Sequence, residues 1–281
     1  MNDTERPRAP RIALSGSTGA ELKGFDLGLA LSAQAQATII DAFNEYGVLL
    51  FRDQQLKPAA QIEFTQLFGA CEPHPLASHR GLEPYPQLLI VEHRLGLRSR
   101  RNDVWHTDVS FAQCPPSATV LHALEVPANR GDTLFCNMVS ACESLSPGLR
   151  NALASLRARH TAGPEIAQVH KQAMGHQDLA PPPPVLHPVI RTHPSSSQRS
   201  IFVNPYYTTN FEDMTSEESK PMLDYLFSVA LQPQHIYRHR WQTGDVLLWD
   251  NSRTMHYAVR DYDDSATRLM HRTTAAGSRP V

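Results

Sequence analysis

Several features that would class a protein before its motifs are read are scarce in this chain. It has only four cysteines, Cys71, Cys114, Cys136 and Cys142, and no two of them form a Cys-x-x-Cys pair. A disulfide framework is therefore not expected in a chain of this length, and free thiols suit a reducing cytosol. Charge of one sign is also lacking. The formal net charge is −2, which argues against a nucleic-acid-binding surface. No apolar run approaches the roughly 18 residues of a membrane span. The polar opening Met1-Asn2-Asp3-Thr4-Glu5-Arg6-Pro7-Arg8 lacks the apolar core of a secretory leader. Internal repeats and clean linkers are absent as well, so residues 1–281 are read as one cytoplasmic domain with no nucleic-acid or membrane partner. β architectures of this size do occur as single units.

What the chain does have is enough apolar residue, 41%, for a packed core, distributed mainly in short strand-like runs. Val48–Phe51, Leu88–Val91, Ala118–Leu124, Asp132–Cys136, Val189–Thr192, Ile201–Val203, Ile236–Trp241, Asp245–Trp249 and Arg268–Ala275 read as strands. Short strands are also expected within residues 12–29. Ser32 and Gly47 bracket a helix with an apolar stripe at Ile39, Ile40 and Phe43. Pro58 opens a second helix closed by Gly69, Leu145–Leu156 forms a third, and Thr215–Leu231 a fourth. Residues 161–188, with the run Pro181-Pro182-Pro183-Pro184, read as an extended loop. That segment is either a lid or a plain surface loop. Many strands with helices near the N-terminus and in one insertion predict a β-sandwich or barrel with helical decoration.

The chemistry concentrates in Val104-Trp105-His106-Thr107-Asp108-Val109-Ser110-Phe111. On an extended strand, His106 and Asp108 would point to one face, giving two members of a metal triad. His256, far downstream, offers a third. Two imidazoles and one carboxylate with open positions are the signature of non-heme Fe(II) oxygenases. The last strand adds Arg268 and Arg272 on one face, with Leu269 and His271 on the other. Guanidiniums turned inward would each need an anion, whereas on an edge strand both would simply be exposed.

The ordered set Trp105-His106-Thr107-Asp108, Pro115-Pro116, Gly131-Asp132-Thr133, Leu186-His187-Pro188, Trp249-Asp250-Asn251, His256 and Arg268-x-x-x-Arg272 strongly resembles the taurine and aryloxyalkanoate (2,4-dichlorophenoxyacetate) dioxygenases, from about residue 10 to 280. The resemblance implies a double-stranded β-helix, or jelly roll. It also implies an Fe(II)-dependent enzyme with 2-oxoglutarate as co-substrate and O2 as oxidant. By the same match His106, Asp108 and His256 hold the metal, and no catalytic residue is assigned beyond that centre. Thr133 and Arg268 bind 2-oxoglutarate, while His74, Val109 (through its backbone N–H), Tyr207 and Arg272 meet a small anionic substrate. A homo-oligomer, dimer or tetramer, is implied too.

Departures from the taurine pattern point to a reshaped pocket. Ala77 stands where that pattern carries an aromatic residue, and Tyr206-Tyr207 replaces a Gly-Phe pair. The interval from His256 to Arg268 is also one residue longer. The expected activity is therefore hydroxylation of a sulfonate, alkyl sulfate, aryloxyalkanoate or N-acyl amino acid, with release of succinate and CO2. Two alternatives use the same residues, a metal-dependent hydrolase and a non-catalytic jelly-roll protein that binds a small acid.

Overall fold

A computed structural model describes residues 11–74, 80–93, 103–162, 182–263 and 265–281. The chain opens with strands β1 (Arg11–Ala13) and β2 (Ala20–Leu22) and then helix α1 (Ala33–Tyr46). The Ser32 hydroxyl caps α1 by accepting the Ala35 N–H. Gly47 ends it in the left-handed region, at φ 71°, donating its N–H to the Phe43 carbonyl. A residue with a Cβ resists that conformation, so glycine terminates the helix here. Strand β3 (Val48–Phe51) follows, then α2 (Pro58–Gln66) with proline in its first turn. Helix α2 stops at Leu67, before Gly69. Gly69 is needed for another reason: a Cβ there would sit 2.5 Å from the Ala276 carbonyl oxygen.

Two sheets face each other. The larger contains β4 (Gly81–Leu82), β5 (Tyr85–His93), β6 (Ala118–Glu125), β14 (Val246–Asp250) and β16 (Arg268–Ala275), in the order β1-β2-β3-β14-β6-β16-β5-β4. All its pairings are antiparallel except β2 with β3. The smaller is β13 (Ile236–His239), β7 (Thr133–Asn137) and β15 (Thr254–Ala258), in that order. This is the double-stranded β-helix that the resemblance implied.

Alternation along the strands builds the layers. Val48, Leu50, Leu247 and Trp249 point between the sheets, where they meet Leu121, Phe135, Tyr237 and Met270. Their neighbours Leu49, Phe51, Val246 and Leu248 point outward against Ile39 and Phe43 of α1 and Phe64 of α2. Each fully buried apolar side chain contributes about 1.5–3 kcal/mol. A one-residue slip would exchange the two sets, so the register is fixed from both faces.

The far side of the smaller sheet packs on α3 (Met138–Ser144), α4 (Pro147–Ala154) and α5 (Ser216–Ala230). Thr215 and Glu218 start α5 with a capping box, each side chain accepting the other's backbone N–H. A three-stranded sheet of β12 (Thr208–Phe211), β8 (Arg157–His160) and β9 (Val185–Pro188), and a hairpin of β10 (Ile190–Thr192) and β11 (Arg199–Ile201), complete this side.

Two expectations need correction. Residues 161–188 are not wholly loop, because Val185–Pro188 forms β9 against Arg157–His160; residues 163–181 lie outside the described residues. The His106 motif is not a strand either. His106 makes one isolated bridge, and a turn begins at Asp108. Among the described residues no helix is long and apolar enough to cross a membrane.

Candidate metal centre

His106 and His256 are brought together by the backbone. Their N–H and C=O groups exchange two hydrogen bonds, 3.0 and 2.8 Å, across the isolated bridge. Their rings lie 4.2 Å apart, centroid to centroid. His256 belongs to β15 and stands opposite Phe135 of β7, so both face the interior. The Trp249 ring, 5.0 Å from that of His256, closes the other side.

Asp108 arrives by a turn. Val109 adopts φ 50° and accepts the Ala112 N–H at 2.9 Å. That region costs a β-branched residue about 1–2 kcal/mol. Val109 is held there by burial against Phe111 and Tyr207. Ser110, next to it, is tied by its hydroxyl to Asn204 Nδ2 at 2.9 Å and to His160 Nδ1 at 3.1 Å. The result places Asp108 Oδ1 3.9 Å from His106 Nε2 and 3.7 Å from His256 Nε2. These separations are too long for hydrogen bonds, and one ligand-type atom from each residue lies within 4.8 Å of the others.

The protonation states suit a cation. Val104 offers only a carbonyl to His106 Nδ1, at 2.8 Å, so a neutral ring carries its proton there and turns the Nε2 lone pair inward. Burial pushes both imidazoles below their ordinary range, His256 to about 3. Burial alone would raise Asp108, but the Arg272 guanidinium, the two imidazoles and the Thr119 hydroxyl hold its carboxyl well below the usual carboxylate range. Thr119 Oγ1 donates to Asp108 Oδ2 at 2.8 Å and accepts from Asn251 Nδ2 at 2.9 Å. Asn251 in turn accepts the Trp249 indole N–H. Two neutral imidazoles and one ionised, oriented carboxylate fit a divalent ion such as Fe(II).

The two arginines of β16 share one face, as the alternation predicted, and that face turns inward. Arg272 Nη2 lies 2.9 Å from Asp108 Oδ1. Arg268 is buried, and its Nε finds no partner among the described residues. Thr133, on β7, shares the inward face of Phe135 and His256. Trp241 joins the two sheets here: its indole N–H donates to Thr133 Oγ1 at 2.9 Å, and its ring lies 5.9 Å from Arg268 Cζ. Tyr206 and Tyr207 present rings 6.0 and 6.4 Å from that of His106. His74 is half-buried, three residues past Cys71, whose bridge to Ala275 fixes it to the end of β16. Ala77 lies outside the described residues. Trp105 and Tyr257 pack on each other at 5.6 Å, and His271 takes the face opposite Arg272, across from His122.

Sequence alone gives no signal for Thr119 or Trp241, and Asn251 is marked only by standing in the Trp249-Asp250-Asn251 motif.

A profile of the family described as "Taurine catabolism dioxygenase TauD, TfdA family" matches residues 10–274. An alkylsulfatase of Acinetobacter baylyi is 30% identical over 94% of this chain and 84% of its own length. A 2,4-dichlorophenoxyacetate dioxygenase, alpha-ketoglutarate-dependent, of Cupriavidus pinatubonensis is 31% identical over 91% of this chain and 93% of its own. The crystal structure of a taurine dioxygenase from Burkholderia xenovorans superposes with a TM-score of 0.83 at 30% identity, covering 98% of this chain and 93% of that one. The chain belongs to the TauD, TfdA family of dioxygenases.

Proposed function

We propose that the protein is an Fe(II)- and 2-oxoglutarate-dependent dioxygenase that hydroxylates a small anionic organic molecule, with 2-oxoglutarate leaving as succinate and CO2. The observation that carries the reading is the buried His106, Asp108 and His256 group, with ligand-type atoms within 4.8 Å of one another and two inward arginines beside it. In this reading those three residues hold the iron. Bound iron, with dioxygen and 2-oxoglutarate, supplies the oxidising chemistry. The protein supplies orientation and exclusion of water.

Thr133 and Arg268 receive the far carboxylate of 2-oxoglutarate, and Arg272 the anionic group of the substrate. The contact of Arg272 with Asp108 would set an oxidisable carbon near the metal. Val109, Tyr207 and His74 line the substrate side. The adjoining rings of Tyr206, Tyr207 and Phe111 favour a substrate with an apolar or aromatic body. Sulfonates, alkyl sulfates, aryloxyalkanoates and N-acyl amino acids all fit that description. A hydrolase would leave the Thr133–Arg268 pair without a task, and a mere binder would leave the three metal-type ligands without one. We also take the protein to be a cytoplasmic, single-domain homo-oligomer, dimer or tetramer, as the family resemblance implies.

The test is succinate release in air with Fe(II) and 2-oxoglutarate across these four acid classes. Stimulation by at least one class is expected. Succinate at background level with every class would refute the proposal.

A further inference from the structure

We propose that Trp241 is a positioning residue: its indole N–H sets the Thr133 hydroxyl as a donor toward the far carboxylate of 2-oxoglutarate, beside the Arg268 guanidinium. The inference rests on the function proposed above.

An indole N–H can only donate, so the 2.9 Å contact makes Thr133 Oγ1 the acceptor. The hydroxyl keeps its own proton, for which no acceptor is found among the described residues. Thr133 is buried, and so is Arg268, whose Nε has no partner among the described residues. The Arg268 Cζ lies 5.9 Å from the centre of the Trp241 ring, close enough for cation–π attraction. One side chain thus orients a hydroxyl from the smaller sheet and a guanidinium from the larger.

Trp241 is itself held in place. The His239 ring meets it edge-on at 4.6 Å, and His239 Nε2 lies 3.0 Å from Asp245 Oδ2. The same carboxylate oxygen accepts the N–H of Gln242, next to Trp241. Arg52 Nη1 reaches Asp245 at 2.7 Å.

A carboxylate accepts and never donates when ionised. A hydroxyl free to rotate would have to be reoriented each time the acid binds. With the indole N–H on one side, the hydroxyl proton is already directed to the other. A 2-oxo acid of equal length ending in a methyl group would gain nothing from this arrangement. Trp241 therefore contributes to choosing 2-oxoglutarate over 2-oxopentanoate, by acting through Thr133.

The test uses the full chain loaded with Mn(II), without turnover, and calorimetric titration with both 2-oxo acids. Trp241→Phe keeps a ring and removes the donor. It should raise the Kd for 2-oxoglutarate about tenfold and leave that for 2-oxopentanoate within about twofold. In a Thr133→Val background the same substitution should cost nothing further, because its effect passes through the hydroxyl, whereas Thr133→Ser should bind like the parent. Equal weakening of both acids, or independent losses from Trp241→Phe and Thr133→Val, would overturn the proposal. A parent protein that binds 2-oxopentanoate as well as 2-oxoglutarate would take down the co-substrate reading and the proposal together.

A variant-free check is available because the chain has 3 tryptophans. In the Zn(II)-loaded protein, one indole N–H resonance should shift on adding 2-oxoglutarate and stay put with 2-oxopentanoate. No such selective shift would also overturn the proposal.

Discussion

Replacing Arg272 by alanine would separate the two anion sites proposed for one strand face. Arg268 and Arg272 both point inward from β16, and four residues of strand put their Cα atoms about 13 Å apart. One anion cannot satisfy both. Arg272 Nη2 stands 2.9 Å from Asp108 Oδ1, with only 13% of its side chain exposed. A charge-assisted hydrogen bond in such a setting is worth about 1.5–3 kcal/mol, equivalent to roughly 10- to 100-fold in rate or affinity. Arg272→Ala should therefore lower kcat/KM for the anionic substrate by that factor and leave the Kd of 2-oxoglutarate within about twofold. Slow succinate formation without substrate should persist. Arg272→Lys should recover only part of the loss, since an ammonium lacks the planar fork. The assays are succinate release for the substrate and calorimetry of the Mn(II) form for the co-substrate. If Arg272→Ala abolished 2-oxoglutarate binding and Arg268→Ala spared it, the assignment of the two arginines would be reversed.

Two further outcomes follow from the polar groups around the centre. Thr119→Val removes the donor to Asp108 Oδ2 and should weaken Mn(II) or Fe(II) binding about tenfold; unchanged affinity in a metal titration would contradict the orienting role. Stability should fall as the solution is acidified. Burial, reinforced by His187, pushes His160 down to about 3, and burial pushes His187 down to about 4. The unfolded chain binds protons at these residues from about pH 6.5 downward, whereas the folded chain does not until those lower values. The free energy of unfolding therefore drops between about pH 6.5 and pH 3, with about 2 kcal/mol from His160 alone by pH 5. Urea unfolding of His160→Gln should show a shallower pH dependence over that window.

Much of the arrangement was legible because it depends on local rules. That Arg268 and Arg272 share a face follows from the two-residue period of a strand, though not which way the face turns, and the ends of α1 follow from the Ser32 cap and the left-handed Gly47. The closeness of His106 to Asp108 was legible too, but for a different physical reason than strand alternation. A valine at φ 50° defies its own preference, and the local contacts with Phe111 and Ala112 are joined by distant ones to Tyr207, Asn204 and His160 in keeping the turn in place. No local pattern announces such an override. Strand β9 was hidden for a related reason: Val185–Pro188 follows directly on the Pro181–Pro184 run in sequence and pairs at the edge of a small sheet, where its own proline is tolerated. Thr119 meets Asn251, and Trp241 meets Thr133, across more than a hundred residues of sequence, and that proximity exists only once β14 pairs with β6 and β13 with β7.

The central claim is that His106, Asp108 and His256 together hold the iron to which 2-oxoglutarate binds. Its most direct test is the visible spectrum of the anaerobic protein with Fe(II) and 2-oxoglutarate. A weak charge-transfer band should appear in the parent protein and be lost in His106→Ala, Asp108→Ala and His256→Ala. No band in the parent, or a band that survives each of the three substitutions, would contradict the account.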